Sequence, residues 1–218
     1  KLIQLQDQPE PKQMFHENYA FFSSTSNAMK THFKKFADLL IKKLNLKKDS
    51  FVIEIGSNDG IMLKNFKNKK IKHLGVEPSA NVAKVAKKNK INTIINFYDS
   101  KLAKRIKNTY GLADIIYSAN VICHIPKIDQ LFKNIKFNLK KNGLFIFEDP
   151  YFGDVFKKNS FDQFYDEHVF LFTVTSVNNI CQKFGLELID ISKQATHGGS
   201  MRYFISLKGQ NNVKKKVV

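Results

Sequence analysis

The sequence predicts an α/β fold: a doubly wound, mostly parallel sheet with helices on both faces and an antiparallel hairpin near the C-terminus. Two observations predict the sheet. Short apolar runs alternate with helical segments between residues 51 and 148, and the links between them are short. A third observation predicts the hairpin, because two β-rich runs are joined by the turn-prone motif T-H-G-G-S at 196–200.

An arm and one long helix precede the predicted sheet. Residues 1–15 are polar, contain two prolines and predict an extended arm. From Ser26 to Leu44, apolar residues recur at intervals of three and four, which predicts a helix with N-cap candidates at 23–26. We expect an arm over 1–24, one α/β domain over 25–209 and a polar tail over 210–218.

The strands and helices of the domain then follow in alternation. Apolar runs predict strands at 51–56, 71–77, 91–95, 114–118 and 143–148, followed by hairpin strands at 186–192 and 201–207. Helical periodicity predicts helices at 61–66, 80–88, 102–107, 128–139 and 174–184. A doubly wound, Rossmann-like sheet closed by an antiparallel hairpin is the outline of a class I methyltransferase.

Composition narrows the possible partners. The net charge is +17, yet Arg105 and Arg202 are the only arginines. Nucleic-acid sites depend on arginine for bidentate contacts, so this lysine-rich surface argues against nucleic acid and is compatible with a phosphate-bearing small substrate. Cys123 and Cys181 lack metal-site spacing, so we expect reduced thiols and no metal. We also expect a cytoplasmic protein with no membrane partner, because no apolar run could span a bilayer and no signal peptide is visible.

The motif E-I-G-S-N-D-G at 54–60 directly follows the first predicted strand and opens a helix. In open α/β sheets a ligand lies beyond the carboxyl ends of the strands, so this turn is a candidate cofactor site. A dinucleotide fingerprint needs glycine where Asn58 and Ile61 stand, which argues against NAD. The candidate cofactor-binding residues of this turn are Glu54, Gly56, Asn58, Asp59 and Gly60.

A second carboxylate supports the same site. Glu77 ends the second predicted strand, 21 residues after Gly56. A carboxylate there accepts hydrogen bonds from both ribose hydroxyls of NAD or S-adenosylmethionine. With NAD disfavoured, the sequence predicts S-adenosylmethionine. The further candidate contacts on this sheet edge are Pro78, Phe97, Tyr98, Asp99 and Asn120.

The motif Q-F-Y-D-E-H-V-F-L-F at 163–172 places a phenol, two carboxylates and an imidazole among phenylalanines. Desolvation and close charges shift pKa values towards working pH, so this cluster suits proton transfer. The alternative is an amphipathic segment with exposed acids and a packed histidine.

The letters D-P-Y-F at 149–152 resemble the D-P-P-Y motif of adenine-N6 DNA methyltransferases. That motif belongs after the fourth strand, where this chain has S-A-N at 118–120. We therefore assign no base-methylating role to Asp149.

Several motifs occur in an order that supports a family resemblance: N-Y-A-F-F-S-S-T-S-N at 18–27, E-I-G-S-N-D-G at 54–60, S-A-N-V-I-C-H-I at 118–125, E-D-P-Y-F at 148–152, F-Y-D-E-H-V-F at 164–170 and T-H-G-G-S-M-R at 196–202. The chain resembles the sugar C-methyltransferases that act on nucleotide-linked 4-keto deoxysugars, the group containing the C3-methyltransferase of tetronitrose biosynthesis. Members of that family also carry an N-terminal zinc-binding domain and a further C-terminal domain. We expect this chain to lack both. Asp166 and Phe21 depart from the family pattern, which often has His and Tyr there.

The resemblance implies roles for individual residues. His168 matches the proposed general base, Glu167 the group that orients it and Tyr165 a substrate support. His124 matches a histidine near the sugar. The candidate substrate-binding residues are Tyr19, Tyr151 and His197, and the arm residues expected to cover the methionine part of the cofactor are Phe22, Ser23 and Ser24.

Each of these assignments has an alternative. His124 could be a packed core histidine, Tyr19 a staple for the first helix and His197 part of a tight turn. The activity could likewise be O-methylation of a glycan or small metabolite, or the chain could be a non-catalytic, cofactor-binding part of a larger enzyme.

Overall fold

The structure is a computed structural model and describes residues 3–217. Lys1 and Leu2 of the predicted arm and Val218 of the predicted tail lie outside the described residues. The strands are β1 Ile3–Gln4, β2 Phe51–Ile55, β3 Lys72–Glu77, β4 Thr93–Ile95, β5 Ala113–Ala119, β6 Leu139–Pro150, β7 Phe170–Leu171, β8 Leu186–Gln194 and β9 Ser200–Leu207. The helices are α1 Pro11–Met14, α2 Asn27–Lys43, α3 Leu63–Asn68, α4 Ala80–Lys88, α5 Ser100–Tyr110, α6 Ile128–Asn138, α7 Phe152–Lys158 and α8 Val174–Lys183.

Seven strands form one sheet in the order β4-β3-β2-β5-β6-β9-β8. The first five strands of this order run parallel, and β9 lies antiparallel between β6 and β8. The chain fills one half of the sheet with β2, β3 and β4 and then returns to place β5 beside β2. This reversal creates the crevice where open α/β sheets bind their ligands. The predicted fold class is confirmed.

Apolar side chains cover both faces of the sheet. On one face, α2 packs Phe33 and Phe36 against Tyr117 of β5, with ring centroids 6.3 and 5.6 Å apart. On the other face, Phe145 and Phe147 of β6 are buried in a separate cluster of apolar side chains. Strands buried on both sides are apolar at nearly every position, which is why β2, β5 and β6 were recognisable from sequence.

The N-terminal segment departs from the prediction of an extended arm. It contains the short helix α1, which begins at Pro11, where a missing N–H costs nothing. Its first strand, β1, pairs antiparallel with β7. The predicted N-cap is correct: the Ser26 hydroxyl accepts a hydrogen bond from the Met29 amide at 3.2 Å. Between residues 3 and 217, no helix is both long and apolar enough to cross a bilayer.

Candidate active site

The glycine turn after β2 is shaped by close packing. Gly56 has φ +68°, and a Cβ atom there would lie 2.3 Å from Cγ2 of Val121. Its amide donates to the Val76 carbonyl at 2.8 Å, which ties the turn to β3. Only glycine accepts this conformation and this approach together. At the crevice between β2 and β5, residue 56 therefore contributes only its backbone.

Three carboxylates, Glu54, Asp59 and Glu77, are buried around this turn. Glu77 accepts amide hydrogen bonds from Asn58 and Ser79, each at 2.8 Å. Burial raises the pKa of Glu77, and burial together with the charges of Asp59 and Glu77 raises that of Glu54. One oxygen of Glu54 and one of Asp59 are buried without a hydrogen-bond partner among the described residues. Of the three, Glu77 is the carboxyl that lines the cavity, and its two amide contacts favour its charged form against the effect of burial.

A cavity of about 590 Å³ opens at the carboxyl ends of the parallel strands. This volume suits a cofactor and part of a second substrate. One part of the lining, called here the β2–β4 wall, consists of residues that end or follow β2, β3, β4 and β5: Gly56, Asn58, Glu77, Pro78, Phe97, Tyr98 and Asn120. The lining also includes Tyr19, His124, Gln163, Tyr165, Glu167, His168 and His197. The structure thus brings most of the predicted cofactor and substrate residues to one cavity.

The structure does not place every predicted cofactor residue on the cavity. Glu54, Asp59 and Gly60 are buried and do not line it. Asp99 is exposed and caps α5, accepting a hydrogen bond from the Leu102 amide at 2.7 Å. An Asp at the start of a helix has its oxygen aimed at the helix amides, which explains why this side chain does not face the cavity.

The arm reaches the cavity through two of the predicted residues, Tyr19 and Ser23, and through Phe21. The predicted Phe22 and Ser24 do not line it. Phe22 has an extended backbone, with φ −112° and ψ 110°. Successive side chains of an extended segment point to opposite sides, so Phe22 faces away from the side that Phe21 faces.

The side chains of Asn58 and Asp59 hold the arm. Asn58 Oδ1 accepts from the Ser23 amide at 2.9 Å, and its Nδ2 donates to the Phe21 carbonyl at 3.0 Å. Asp59 Oδ2 accepts from the Ser24 amide at 2.9 Å. These contacts fix the arm to the turn, and Asn58 also lines the cavity.

The position of Tyr19 depends on two residues that were not predicted to belong to the site, Asn81 and Phe15. Asn81 Nδ2 donates to the Tyr19 carbonyl at 2.7 Å, and the Phe15 ring lies 5.5 Å from the Tyr19 ring. Phe15 also packs edge-on against His124, with centroids 5.6 Å apart. Neither residue belongs to a recognisable motif. Their role comes from the path of the arm, and no sequence signal indicates it.

His168 is buried, and both of its ring nitrogens are engaged. Nδ1 donates to the Gln163 carbonyl at 2.9 Å, and Nε2 lies 2.9 Å from the Tyr165 hydroxyl. A carbonyl only accepts, so the proton of the neutral ring is on Nδ1 and Nε2 carries the lone pair. Burial lowers the pKa of His168. The arrangement provides a neutral imidazole whose Nε2 atom can accept a proton.

His124 lies beside His168, with ring centroids 5.2 Å apart. Its Nδ1 donates to the Glu167 carbonyl at 2.5 Å. Burial and then the nearby His168 lower the pKa of His124 to about 4. His124 is therefore neutral at physiological pH.

The structure places two of the predicted residues differently from expectation. The Gln163 backbone oxygen, and not the Glu167 side chain, holds the His168 ring, while Glu167 contributes its own backbone oxygen to His124. Tyr151 does not line the cavity, and its ring faces Lys193 with the Nζ atom 5.7 Å from the centroid. Backbone acceptors have no residue-type signature, so the sequence could not indicate Gln163.

Cys123 completes a group with the two histidines, and one potential ligand atom from each lies within 4.8 Å of the others. Burial raises the pKa of the Cys123 thiol, which disfavours the thiolate that metals bind. Both nitrogens of His168 are also hydrogen-bonded. These contacts favour a hydrogen-bonded cluster over a metal site.

Positive charge from lysine or arginine is missing from the cavity wall formed by the described residues. This is notable in a chain with a net charge of +17. The basic groups on the wall are imidazoles, those of His16, His124, His168 and His197. Neutral imidazoles support proton transfer without fixing a permanent cation at the reacting centre.

The strand order, the glycine turn and the carboxylate at the end of β3 define a class I methyltransferase of the S-adenosylmethionine-dependent type. The chain belongs to the methyltransferase domain family, whose model matches residues 29–191.

Comparison with individual proteins agrees with this assignment. The chain is 30% identical over 203 residues to the C-methyltransferase NovU of Streptomyces niveus, covering 93% of this chain and 48% of that protein. It therefore spans about half the length of this curated relative. An S-adenosylmethionine-dependent methyltransferase of Anabaena variabilis superposes with a TM-score of 0.64 at 18% identity, over 82% of this chain and 86% of that one. A second, from Clostridium acetobutylicum, has a TM-score of 0.64 at 15% identity, over 81% and 92%. At these identities the structural likeness shows the fold.

Proposed function

We propose that S-adenosylmethionine lies against the β2–β4 wall of the cavity. The residues that would hold it are Gly56, Asn58, Glu77, Pro78, Phe97, Asn120 and Phe21. Glu77 would accept hydrogen bonds from the ribose hydroxyls. When bound, this cofactor supplies an activated methyl group on a sulfonium.

The acceptor we propose is a nucleotide-activated keto deoxysugar, methylated on the carbon beside the keto group. One observation carries this proposal: His168 presents a proton-accepting Nε2 beside the Tyr165 hydroxyl in the cavity that the cofactor wall also borders. Carbon becomes nucleophilic only after losing a proton, so C-methylation needs such a base. The similarity to a C-methyltransferase over 93% of the chain supports the same reading.

In this mechanism, His168 Nε2 takes the proton from the carbon beside the keto group. The C–H electron pair forms the carbon–carbon double bond of an enolate, and the negative charge moves to the former keto oxygen. Burial, and then the charge of Glu167, raise the pKa of Tyr165 to about 12. The phenol therefore keeps its proton. In this step the Tyr165 hydroxyl moves from Nε2 to the keto oxygen. The move frees the Nε2 lone pair for the C–H proton and leaves the hydroxyl donating to the enolate oxygen.

The bound cofactor would supply the methyl group to the enolate carbon: the bond between the methyl carbon and sulfur would break with its electron pair left on sulfur as a neutral thioether, the new carbon–carbon bond would form, and the ketone would be restored. Tyr19 and His197, which also line the cavity, would contact the sugar. Alignment of the carbon with the methyl group supplies much of the remaining acceleration. His168 later returns its proton to solvent.

The proposal is tested by supplying the chain with S-adenosylmethionine and a dTDP-linked 4-keto-6-deoxysugar in D₂O. We expect exchange of the C–H beside the ketone, and a product whose new methyl protons couple to carbon of the ring in NMR. A methyl group on oxygen, without C–H exchange, would assign O-methylation. If calorimetry shows no binding of S-adenosylmethionine, the chain would be interpreted as a non-catalytic part of a larger enzyme.

The pH dependence follows from the state of His168. Burial lowers its pKa below the ordinary 6.5, so the imidazole stays a free base at all pH values above that range. We expect kcat to be flat at neutral and alkaline pH and to fall only on the acid side of pH 6.5. Stopped assays at saturating cofactor would measure this, with cofactor affinity followed separately because the pKa of Glu77 is raised. A fall in kcat centred above pH 6.5 would contradict the assignment.

A further inference from the structure

Two consecutive carboxylates, Glu148 and Asp149, occupy the end of β6 and are almost completely buried, with 1% and 0% of their surfaces exposed. Neither lines the cavity. Because side chains alternate along a strand, the two point to opposite faces of the sheet. Buried carboxylates persist where hydrogen bonds compensate their desolvation, so their partners indicate what they stabilise.

Asp149 holds the turn that carries His124. Its Oδ1 accepts from the Val121 amide at 3.1 Å, and its Oδ2 from the Cys123 amide at 2.8 Å. The next residue, His124, ends the 3₁₀ turn Ile122–His124. A single side chain therefore fixes two of the three amides that precede His124. The His124 ring is held at its other end by the Glu167 carbonyl.

Glu148 holds the turn that carries His197. Its Oε1 accepts from the Thr196 hydroxyl at 2.8 Å, and its Oε2 accepts from Arg202 Nε and Nη2 at 3.0 and 2.7 Å. His32 of α2 also contacts Glu148, with its Nε2 atom 2.9 Å from Oε1. The contact with Thr196 matters because the next residue, His197, has φ +50°, a strained backbone conformation for histidine.

We propose that Glu148 and Asp149 are paired positioning residues, which fix His197 and His124 against the acceptor from the two faces of the sheet. The cavity lies over the carboxyl edge of the sheet, so turns from both faces reach it. The end of β6 contacts both turns, through Asp149 for the turn that carries His124 and through Glu148 for the turn that carries His197. This inference rests on the proposed function for its kinetic effect, while the placement of the two histidines is independent of the substrate.

The test compares Asp149→Asn and Thr196→Val with Asp114→Asn. Asparagine keeps the shape of Asp149 but offers one oxygen to the two amides, and valine removes the hydroxyl that binds Glu148. Asp114 is the matched control, because its Oδ2 also accepts a backbone amide, that of Phe51 at 2.7 Å, but near the amino end of β5. All three variants are measured for thermal stability, cofactor affinity, kcat, acceptor KM and imidazole NMR titration.

In Asp149→Asn we expect kcat to fall about 10- to 100-fold with cofactor Kd unchanged within about twofold, as for misplacement of a reacting group. The His124 pKa should rise from about 4 towards its ordinary value as its turn loosens. In Thr196→Val we expect acceptor KM to rise several-fold and the His197 signals to shift. Asp114→Asn should lose stability and leave kcat, KM and the histidine signals unchanged.

Equal kinetic losses in Asp149→Asn and Asp114→Asn, or unchanged His124 and His197 signals in the first two variants, would overturn the proposal. If Asp149→Asn fails to fold, the KM and His197 signals of Thr196→Val decide the matter. If the wild-type chain methylates no keto sugar, the NMR titrations still test positioning. Failure of the proposed function and failure of this inference are therefore distinguishable.

Discussion

Replacing His168 with asparagine is expected to lower kcat for methyl transfer about 10²- to 10⁴-fold, the range typical for removal of a general base. The asparagine side chain keeps an N–H that can reach the Gln163 carbonyl, as Nδ1 does in His168. It has no basic lone pair at the position of Nε2. Cofactor affinity should stay within about twofold, because His168 is not among the residues proposed to hold the cofactor. Single-turnover assays with saturating cofactor, together with calorimetry, would measure both effects.

His73→Asn is a matched control. His73 also has its Nδ1 atom 2.9 Å from a backbone oxygen, that of Ile71, and lies near the amino end of β3, away from the cavity. It should change neither kcat nor cofactor affinity. A His168→Asn variant that retains more than about a tenth of the wild-type kcat would remove this residue from the role of base. Loss of exchange at the substrate carbon in D₂O would locate the defect in proton removal.

Replacing Glu77 with glutamine is expected to weaken S-adenosylmethionine binding about 10- to 100-fold, which corresponds to about 1.5–3 kcal/mol for hydrogen bonds to a charged group. The Glu77 carboxylate accepts hydrogen bonds from the amides of Asn58 and Ser79, and Glu77 lines the cavity. Glutamine can accept with only one of its two terminal atoms, and it carries no charge to complement the cofactor. Calorimetry would give the Kd, and kcat at saturating cofactor should change little.

Glu187→Gln tests whether the effect belongs to the site. Glu187 is also a carboxylate on a strand that accepts a backbone amide, that of Gly209 at 3.1 Å, but it lies on the edge strand β8. Its replacement changes the net charge equally and should leave Kd unchanged. If Glu77→Gln binds the cofactor as tightly as wild type does, the cofactor cannot use this carboxylate, and the orientation proposed here is wrong.

The fold was accessible from sequence because its signals are local. Buried parallel strands read as continuous apolar runs, helices as intervals of three and four, and the hairpin as a glycine-rich turn between β-rich runs. The prediction failed where one element depends on another. β1 and β7 are two residues long and exist through pairing with each other, and the sequence around α7 carries few periodic residues.

For the site, the sequence by itself determined the residue types and, on the parallel strands, their places: the glycine turn after β2, Glu77 at the end of β3 and His124 after β5. His168 and His197 were indicated by the motifs at 163–172 and 196–200. Sequence order fixes which residues follow a strand, and parallel topology brings those ends together.

Only the tertiary structure decided what each side chain contacts. It turned Asn58 and Asp59 towards the arm, took Tyr151 out of the cavity, and gave the orientation of His168 to a backbone oxygen. The physical reason is that these contacts join segments far apart in the chain, or use backbone acceptors that every residue possesses. Neither leaves a mark in the local pattern of the sequence.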